Sequence, residues 1–161
     1  MAEFQNTIDL FGDDVVAEKI ADRTFSGEFV DYDLQIIGDT AFYNCTELTS
    51  VNLPSATYIG DAAFYSCGKL TKANTPAVTN ISNNAFYGCH TLAVIVLRGT
   101  TVCSFSSMNA FQGTPFASGG TGGTAYVPQA LIESYQTATN WSALYAAGTC
   151  NFVAIEGSEY E

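Results

Sequence analysis

The sequence predicts an α/β solenoid: a short array of about four coils of 22 residues, with a short N-terminal helix and a C-terminal α/β cap. Three observations lead to this prediction. The chain has 161 residues and is 47% hydrophobic, which suits a single domain. Its middle repeats with the period of one such coil. After residue 128 the pattern changes from short apolar strands to helical spacing.

The repeat begins at Ile37 and recurs at Ile59 and Ile81. The three tandem segments read IGDTAFYNCTELTSVNLPSATY, IGDAAFYSCGKLTKANTPAVTN and ISNNAFYGCHTLAVIVLRGTTV. The apolar positions that recur are Phe42, Phe64 and Phe86, then Cys45, Cys67 and Cys89, then Leu48, Leu70 and Leu92. A period this short indicates a solenoid, because each coil buries its apolar face only when a neighbouring coil stacks on it.

Each coil is predicted to contain one strand, which starts at the recurrent leucine. In the first segment the inward residues are Leu48, Val51 and Leu53, and the outward residues are Thr49, Ser50 and Asn52. We expect Pro54 and Pro76 to end their strands, because proline has no N–H to donate to a ladder.

The repeat is predicted to extend in both directions beyond the three clear segments. Phe29 and Ile36 precede Val51 and Tyr58 by one repeat length, which predicts a degenerate first coil. In the other direction the Ala-Phe pair returns three residues late, at residues 110–111. The predicted organisation is an acidic N-terminal segment with a helical cap (1–25), a solenoid (26–116) and a C-terminal cap (117–161). The C-terminal cap comprises a glycine-rich loop, a strand, a helix or helix pair and a final strand.

The charge balance argues against nucleic acid and membrane partners. Sixteen acidic residues face five basic ones, so the net charge of −11 repels phosphate backbones and anionic lipids. No apolar run is long enough to span a membrane, and the first twenty residues lack the basic flank of a signal peptide. We therefore expect no nucleic acid binding, no membrane insertion and no signal peptide.

The cysteines are predicted to be packing residues. Three of the five follow the coil period, and the sequence has no CxxC pair or neighbouring histidine set for a metal. Cys103 and Cys150 lie outside the period. We expect them to be two separate thiols, with a disulfide between them as the alternative.

No catalytic constellation is expected. His90 is the only histidine, and it directly follows Cys89, so the two side chains point in different directions. Glu47 and Asp61 occupy non-equivalent positions in their coils, which gives no paired carboxylates. The sequence thus predicts no enzyme activity, no catalytic residue, no metal and no cofactor.

The tandem pattern IGxxAFxxCxxLTxVxLP resembles the BspA-like leucine-rich repeat family, found in bacterial surface proteins and in gut phage and prophage proteins. The stretch from Arg98 to Tyr145 is similar to a terminal module that closes such arrays in gut Firmicutes and their tailed phages. The two resemblances together cover roughly residues 26–156. They imply a non-enzymatic binding or adhesion scaffold, and they transfer no binding site.

From the repeat and this resemblance we expect a recognition or adhesion module, either tail-associated on a phage particle or on a cell surface. The expected partner is a protein or glycan on a cell surface, or sister subunits of a particle in a homo-oligomer. Because we expect no signal peptide, the expected location is the virion, or the cytoplasm before the particle is released. A location on the cell surface is less favoured. The alternative is a structural assembly subunit that makes only protein–protein contacts.

Two sets of repeated surface residues are the candidate sites. Tyr43, Tyr65 and Tyr87 follow the buried phenylalanines and should align as a column, which either binds a ligand or only stabilises the stack. The second set lies on the outer strand face and comprises Thr49, Asn52, Thr71, Lys72 and Asn74. In the third coil this face becomes apolar at Val94 and Val96, which we expect to be covered by the C-terminal module or a sister subunit.

Overall fold

A computed structural model describes residues 25–161, and they form a repeat solenoid built on two parallel sheets. The larger sheet runs in the order β1 (Ser26–Val30), β3 (Glu47–Asn52), β5 (Lys72–Asn74), β7 (Val94–Val96), β9 (Gly123–Val127) and β10 (Cys150–Ala154). The smaller sheet consists of β2 (Ile36–Ile37), β4 (Tyr58–Ile59), β6 (Asn80–Ile81) and β8 (Ser104–Phe105). The helix predicted before residue 23 lies outside the described residues.

The strands pair with the offset that the repeat predicts. Val51 lies opposite Ala73, and Ala73 lies opposite Ile95. The same offset holds in the degenerate segment, where Phe29 lies opposite Val51. The inward side chains from these positions are buried in one continuous core. β3 and β5 end two residues before Pro54 and Pro76, as predicted.

A third column of backbone hydrogen bonds joins the turns on the remaining side of the coils. The N–H of Phe42 donates to Ala63 O at 2.7 Å, and the N–H of Phe64 donates to Ala85 O at 2.7 Å. Left-handed backbone angles recur in these turns at Thr40, Ala62 and Asn84, and again at Asn44, Ser66 and Gly88. Each coil is therefore fixed to the next on three sides.

Like residues stack on like residues in the core. The rings of Phe42 and Phe64 are 5.0 Å apart, those of Phe64 and Phe86 are 5.3 Å apart, and those of Phe86 and Phe111 are 5.6 Å apart. Phe111 keeps its place in the column although the chain reaches it three residues late. The extra residues leave the core through the irregular segment that precedes it.

All five cysteines are buried and none of them forms a disulfide, including Cys103 and Cys150. Within the repeat they bond to the preceding coil: Cys67 Sγ donates to Phe42 O at 3.0 Å, and Cys89 Sγ donates to Phe64 O at 3.0 Å. Burial also raises the pKa of the Cys103 and Cys150 thiols to about 12. The Cys103 and Cys150 thiols therefore stay protonated at neutral pH, and all five cysteines act as packing groups.

The last coil is closed by two short helices and the final strand. Helix α1 (Ile132–Thr137) buries Tyr135, and helix α2 (Trp141–Ala146) buries Trp141 and Leu144. The Trp141 ring meets Phe105 edge to face at 4.8 Å. β10 then pairs with β9 as the edge strand of the larger sheet. The predicted helix pair and final strand are both present.

Candidate recognition surface

The three candidate tyrosines form a stacked column beside the buried phenylalanines. The rings of Tyr43 and Tyr65 are 5.0 Å apart at 10°, and those of Tyr65 and Tyr87 are 4.8 Å apart at 3°. Tyr43 is 37% exposed, and the other two are half-buried. Each tyrosine directly follows a phenylalanine that points inward, so the turn places it on the outside. We call this surface the tyrosine column.

The stacking decides which chemistry the tyrosine column offers. Both faces of the Tyr65 ring lie against another tyrosine ring, so this ring has no free face on which a sugar ring could stack. On Tyr65 a ligand can reach the ring edge and the phenol hydroxyl, which donates and accepts hydrogen bonds. A column held in this way is also preorganised, which lowers the entropic cost of binding.

The outer strand face carries the second candidate set. Asn74 Nδ2 donates to Asn52 Oδ1 at 2.8 Å across neighbouring strands. The Thr71 hydroxyl donates to Thr49 O at 3.0 Å, and both threonines are exposed. These cross-strand bonds hold the polar side chains in place, although they also use part of the hydrogen-bonding capacity of the face.

The end of the described chain covers part of this face. The Tyr160 ring lies 4.6 Å from the Tyr126 ring on β9, and Lys72 Nζ on β5 lies 5.6 Å from the centre of the same Tyr160 ring. Because β7 lies between β5 and β9, Tyr160 lies over β7. Lys72 therefore already has an aromatic partner.

The expectation for Val94 and Val96 named the C-terminal module or a sister subunit as their cover, and Tyr160 belongs to the C-terminal module. Val96 is fully buried within the chain and offers no surface to a second subunit, whereas Val94 is half-buried. Tyr126 and Tyr160 belong to no repeat, and their contact was not predicted from the sequence. The only available signal was an aromatic residue within an acidic, glycine-containing terminal stretch.

The two candidate surfaces lie on different sides of the coil. The tyrosine column belongs to the turns, and the polar set belongs to the larger sheet. Between them along the chain lies one exposed ion pair that links two neighbouring coils, in which Lys69 Nζ is 2.6 Å from Glu47 Oε2. Because the two surfaces are built from different elements, each is tested by itself.

Within the part of the chain that the structure describes, groups with catalytic or metal-binding potential are not brought together. His90 is exposed and its Nδ1 lies 2.9 Å from Gly113 O, while Cys89 is buried. Among residues 25–161 no three His, Cys, Asp or Glu side chains are grouped to hold a metal ion. None of the helices in this part of the chain is both long and apolar enough to cross a membrane.

Comparison with known families agrees with the repeat geometry. The family model described as BspA type leucine rich repeat region matches residues 18–118 in six copies. This match spans the tyrosine column and the polar strand residues, and it ends before β9. No curated protein and no solved structure matches the chain.

Proposed function

Because this chain belongs to the BspA-type leucine-rich repeat family, we propose that it is a non-enzymatic recognition or adhesion module. Repeats of this family support binding of the protein–protein or adhesion type. The proposed partner is a protein or glycan on a cell surface. The residues proposed to bind it are those of the tyrosine column, with the polar strand residues as a second contact.

The observation that carries the proposal is the stacked arrangement of Tyr43, Tyr65 and Tyr87 on the outside of the solenoid. Buried phenylalanines already supply the core stack beside them, so the outer column adds hydroxyl groups at a regular spacing. Tyrosine is favoured at binding surfaces because its ring and hydroxyl contact a partner at low entropic cost.

We further propose that the module acts on a phage particle, where it is associated with the tail. We prefer this location to the cell surface. The similarity of the C-terminal stretch to modules of tailed phages supports this location. On this proposal the protein is in the cytoplasm before release and in the virion afterwards. Mass spectrometry of purified particles and of washed cell envelopes distinguishes the two locations, and finding the protein in neither contradicts both.

The binding experiment uses the fluorescently labelled full chain and a panel of gut bacterial cells. We expect binding to some strains. Binding should be lost when Tyr43, Tyr65 and Tyr87 are all changed to Ser, and strongly reduced when all three are changed to Phe. The Phe variant keeps the stacked rings and removes only the hydroxyls, so full binding by this variant would assign the tyrosines to stability alone.

Tyr32→Ser is the matched control, because Tyr32 is 66% exposed and lies outside the tyrosine column. This variant should bind like the natural chain. Light scattering and circular dichroism on every sample establish its mass and fold. Equal loss of binding in the control and in the Ser variant would contradict a site at the tyrosine column.

The second candidate function is a structural assembly subunit, favoured by the edge of the larger sheet. Among the described strands β10 has a partner on one side only, and its Val153 is 40% exposed. An edge of this kind pairs readily with a strand of a second copy. A stable oligomer that Val153→Lys and Val94→Asp abolish, with no binding to any cell, would favour this function.

A further inference from the structure

A groove of about 540 Å³ lies at one corner of the solenoid, just beyond the ends of β3, β5 and β7. Its lining includes Pro54, Pro76, Thr79, Arg98, Thr100 and Thr101. It belongs neither to the tyrosine column nor to the outer strand face.

The repeat shows how the groove arises. Pro54, Pro76 and Arg98 are spaced by one repeat length each, so an arginine stands where the two preceding coils have proline. Beyond it the offset grows: Asn80 pairs with Ser104, two positions further along the chain than the period predicts. The two extra residues widen the loop at Thr100 and Thr101, which forms one wall of the groove. The repeat thus becomes irregular at Arg98, which is also the charged residue that lines the groove.

Arg98 differs from the other bases of the described chain. Lys69 pairs with Glu47, and Lys72 lies over the Tyr160 ring. Within residues 25–161 the side chain of Arg98 has no ion pair, hydrogen bond or ring contact, and it is exposed. No acidic residue of this part of the chain lines the groove. A guanidinium with no internal partner and no acidic neighbour is available to an anion.

We propose that this groove binds a sugar that carries a single carboxylate. The planar guanidinium matches a carboxylate with two parallel hydrogen bonds. A phosphate monoester carries nearly two negative charges, so the acidic protein as a whole repels it more strongly than it repels a single carboxylate. The overall net charge of −11 further disfavours polyanions.

The rest of the lining fits the remainder of such a ligand. Threonine hydroxyls donate and accept hydrogen bonds, as the hydroxyls of a sugar require. The rings of Pro54 and Pro76 supply an apolar surface for the C–H groups. The volume lies within the range of small-ligand sites, about 300–1,000 Å³. A free amino acid fits less well, because no carboxylate among the described residues lines the groove to pair with its ammonium group.

The test titrates the full chain with glucuronate, galacturonate and N-acetylneuraminate, followed by saturation-transfer NMR and calorimetry. Glucose and glucose 6-phosphate are the neutral and dianionic controls. We expect at least one of the three acids to bind about tenfold or more tighter than glucose, and tighter than glucose 6-phosphate. Tighter binding of glucose 6-phosphate would overturn the carboxylate assignment.

Arg98→Gln removes the charge and should weaken binding of the acid about tenfold or more. Arg98→Lys keeps the charge but lacks the planar guanidinium, so its affinity for the acid should lie between those of the natural chain and Arg98→Gln. Lys69→Gln removes a cation elsewhere and should change nothing. Circular dichroism establishes that each variant is folded. Failure of all three acids to bind, or equal binding by Arg98→Gln, overturns the proposal and leaves the tyrosine column untouched.

Discussion

The indole Nε1 of Trp141 donates a hydrogen bond of 2.6 Å to the carbonyl oxygen of Cys103. The N–H of Cys103 donates in turn to the Tyr135 hydroxyl at 2.9 Å. Cys103 lies in the irregular segment after the third repeat, where no further coil supplies a backbone partner. The two helices of the C-terminal cap thus satisfy both backbone groups of one buried residue, as the next coil would.

Removing this hydroxyl should destabilise the cap. In Tyr135→Phe the ring is kept and the N–H of Cys103 loses its acceptor, so we expect a loss of about 1–3 kcal/mol in the free energy of unfolding. Urea denaturation measures this loss. Tyr145→Phe, on an exposed part of α2, should change stability by less than about 0.5 kcal/mol. Equal stability of the two variants would contradict the role assigned to the Tyr135 hydroxyl.

Two buried threonines should respond to valine with opposite signs. Thr75 is fully buried at the position of Leu53 and Leu97, and its hydroxyl has no hydrogen-bond partner. Thr75→Val should therefore stabilise the chain by about 1–2 kcal/mol. Thr114, also buried, donates to Phe111 O at 2.7 Å and accepts from Phe116 N at 3.1 Å.

Thr114→Val should cost about 1–3 kcal/mol, because the buried N–H of Phe116 loses its acceptor, while Phe111 O keeps its bond from the N–H of Thr114. Thermal unfolding of both variants decides the matter. A destabilised Thr75→Val would mean that the hydroxyl at this position is satisfied in solution.

Stability should fall at alkaline pH. Burial raises the pKa of Cys103 and Cys150 to about 12, from an ordinary value of 9.0. Below pH 9 both states keep these protons, so the thiols contribute no pH dependence. Between pH 9 and 12 the unfolded chain releases them and the folded chain does not. Each thiol then lowers the free energy of unfolding by about 1.4 kcal/mol per pH unit.

Urea denaturation at pH 7, 9 and 10 tests this dependence. Burial also raises the pKa of Tyr135, which adds to the decline above its ordinary value of 10.0. A Cys103→Ala, Cys150→Ala double variant should lose less stability between pH 9 and 10 than the natural chain. The same slope in both would assign the alkaline decline to other groups.

The contact between Tyr160 and Lys72 should appear as an energetic coupling. In a double-mutant cycle with Tyr160→Ala and Lys72→Met, we expect a coupling of about 0.5–1 kcal/mol, typical of a cation above a ring at a surface. The parallel cycle with Lys69→Met should give a coupling near zero, because Lys69 pairs with Glu47. A coupling near zero in both cycles would show that Tyr160 leaves the strand face in solution.

The repeat made most of the fold predictable, because a fixed spacing in the sequence becomes a fixed offset between parallel strands. The pairing of Phe29 with Val51 follows from the repeat spacing, whereas the stacking of Phe111 on Phe86 follows from the return of the Ala-Phe pair three residues late. Features that depend on side chains outside the period were not predictable. Tyr160 has no counterpart in any coil, so its position over β7 and the burial of Val96 depend on the path of the tail.

The candidate site shows the same division. Alignment of Tyr43, Tyr65 and Tyr87 was predicted from their spacing, whereas the loss of free ring faces depends on the ring angles, which spacing does not determine. The groove at Arg98 requires a loop conformation that two additional residues make irregular. Both the ring angles and the loop conformation are details that the spacing of residues does not determine.

The column of like residues also determines how such a chain can change in length during evolution. Deletion of residues 59–80 would bring Ile81 to the place of Ile59 and set Phe86 against Phe42, so every neighbour would meet a residue of its own kind. Duplication of the codons for the same segment would add one tyrosine to the outer row and leave both ends unaltered. Recombination in whole coils thus lengthens or shortens the tyrosine column by one residue at a time. An insertion of any other length must form a loop, as the two extra residues after Arg98 do.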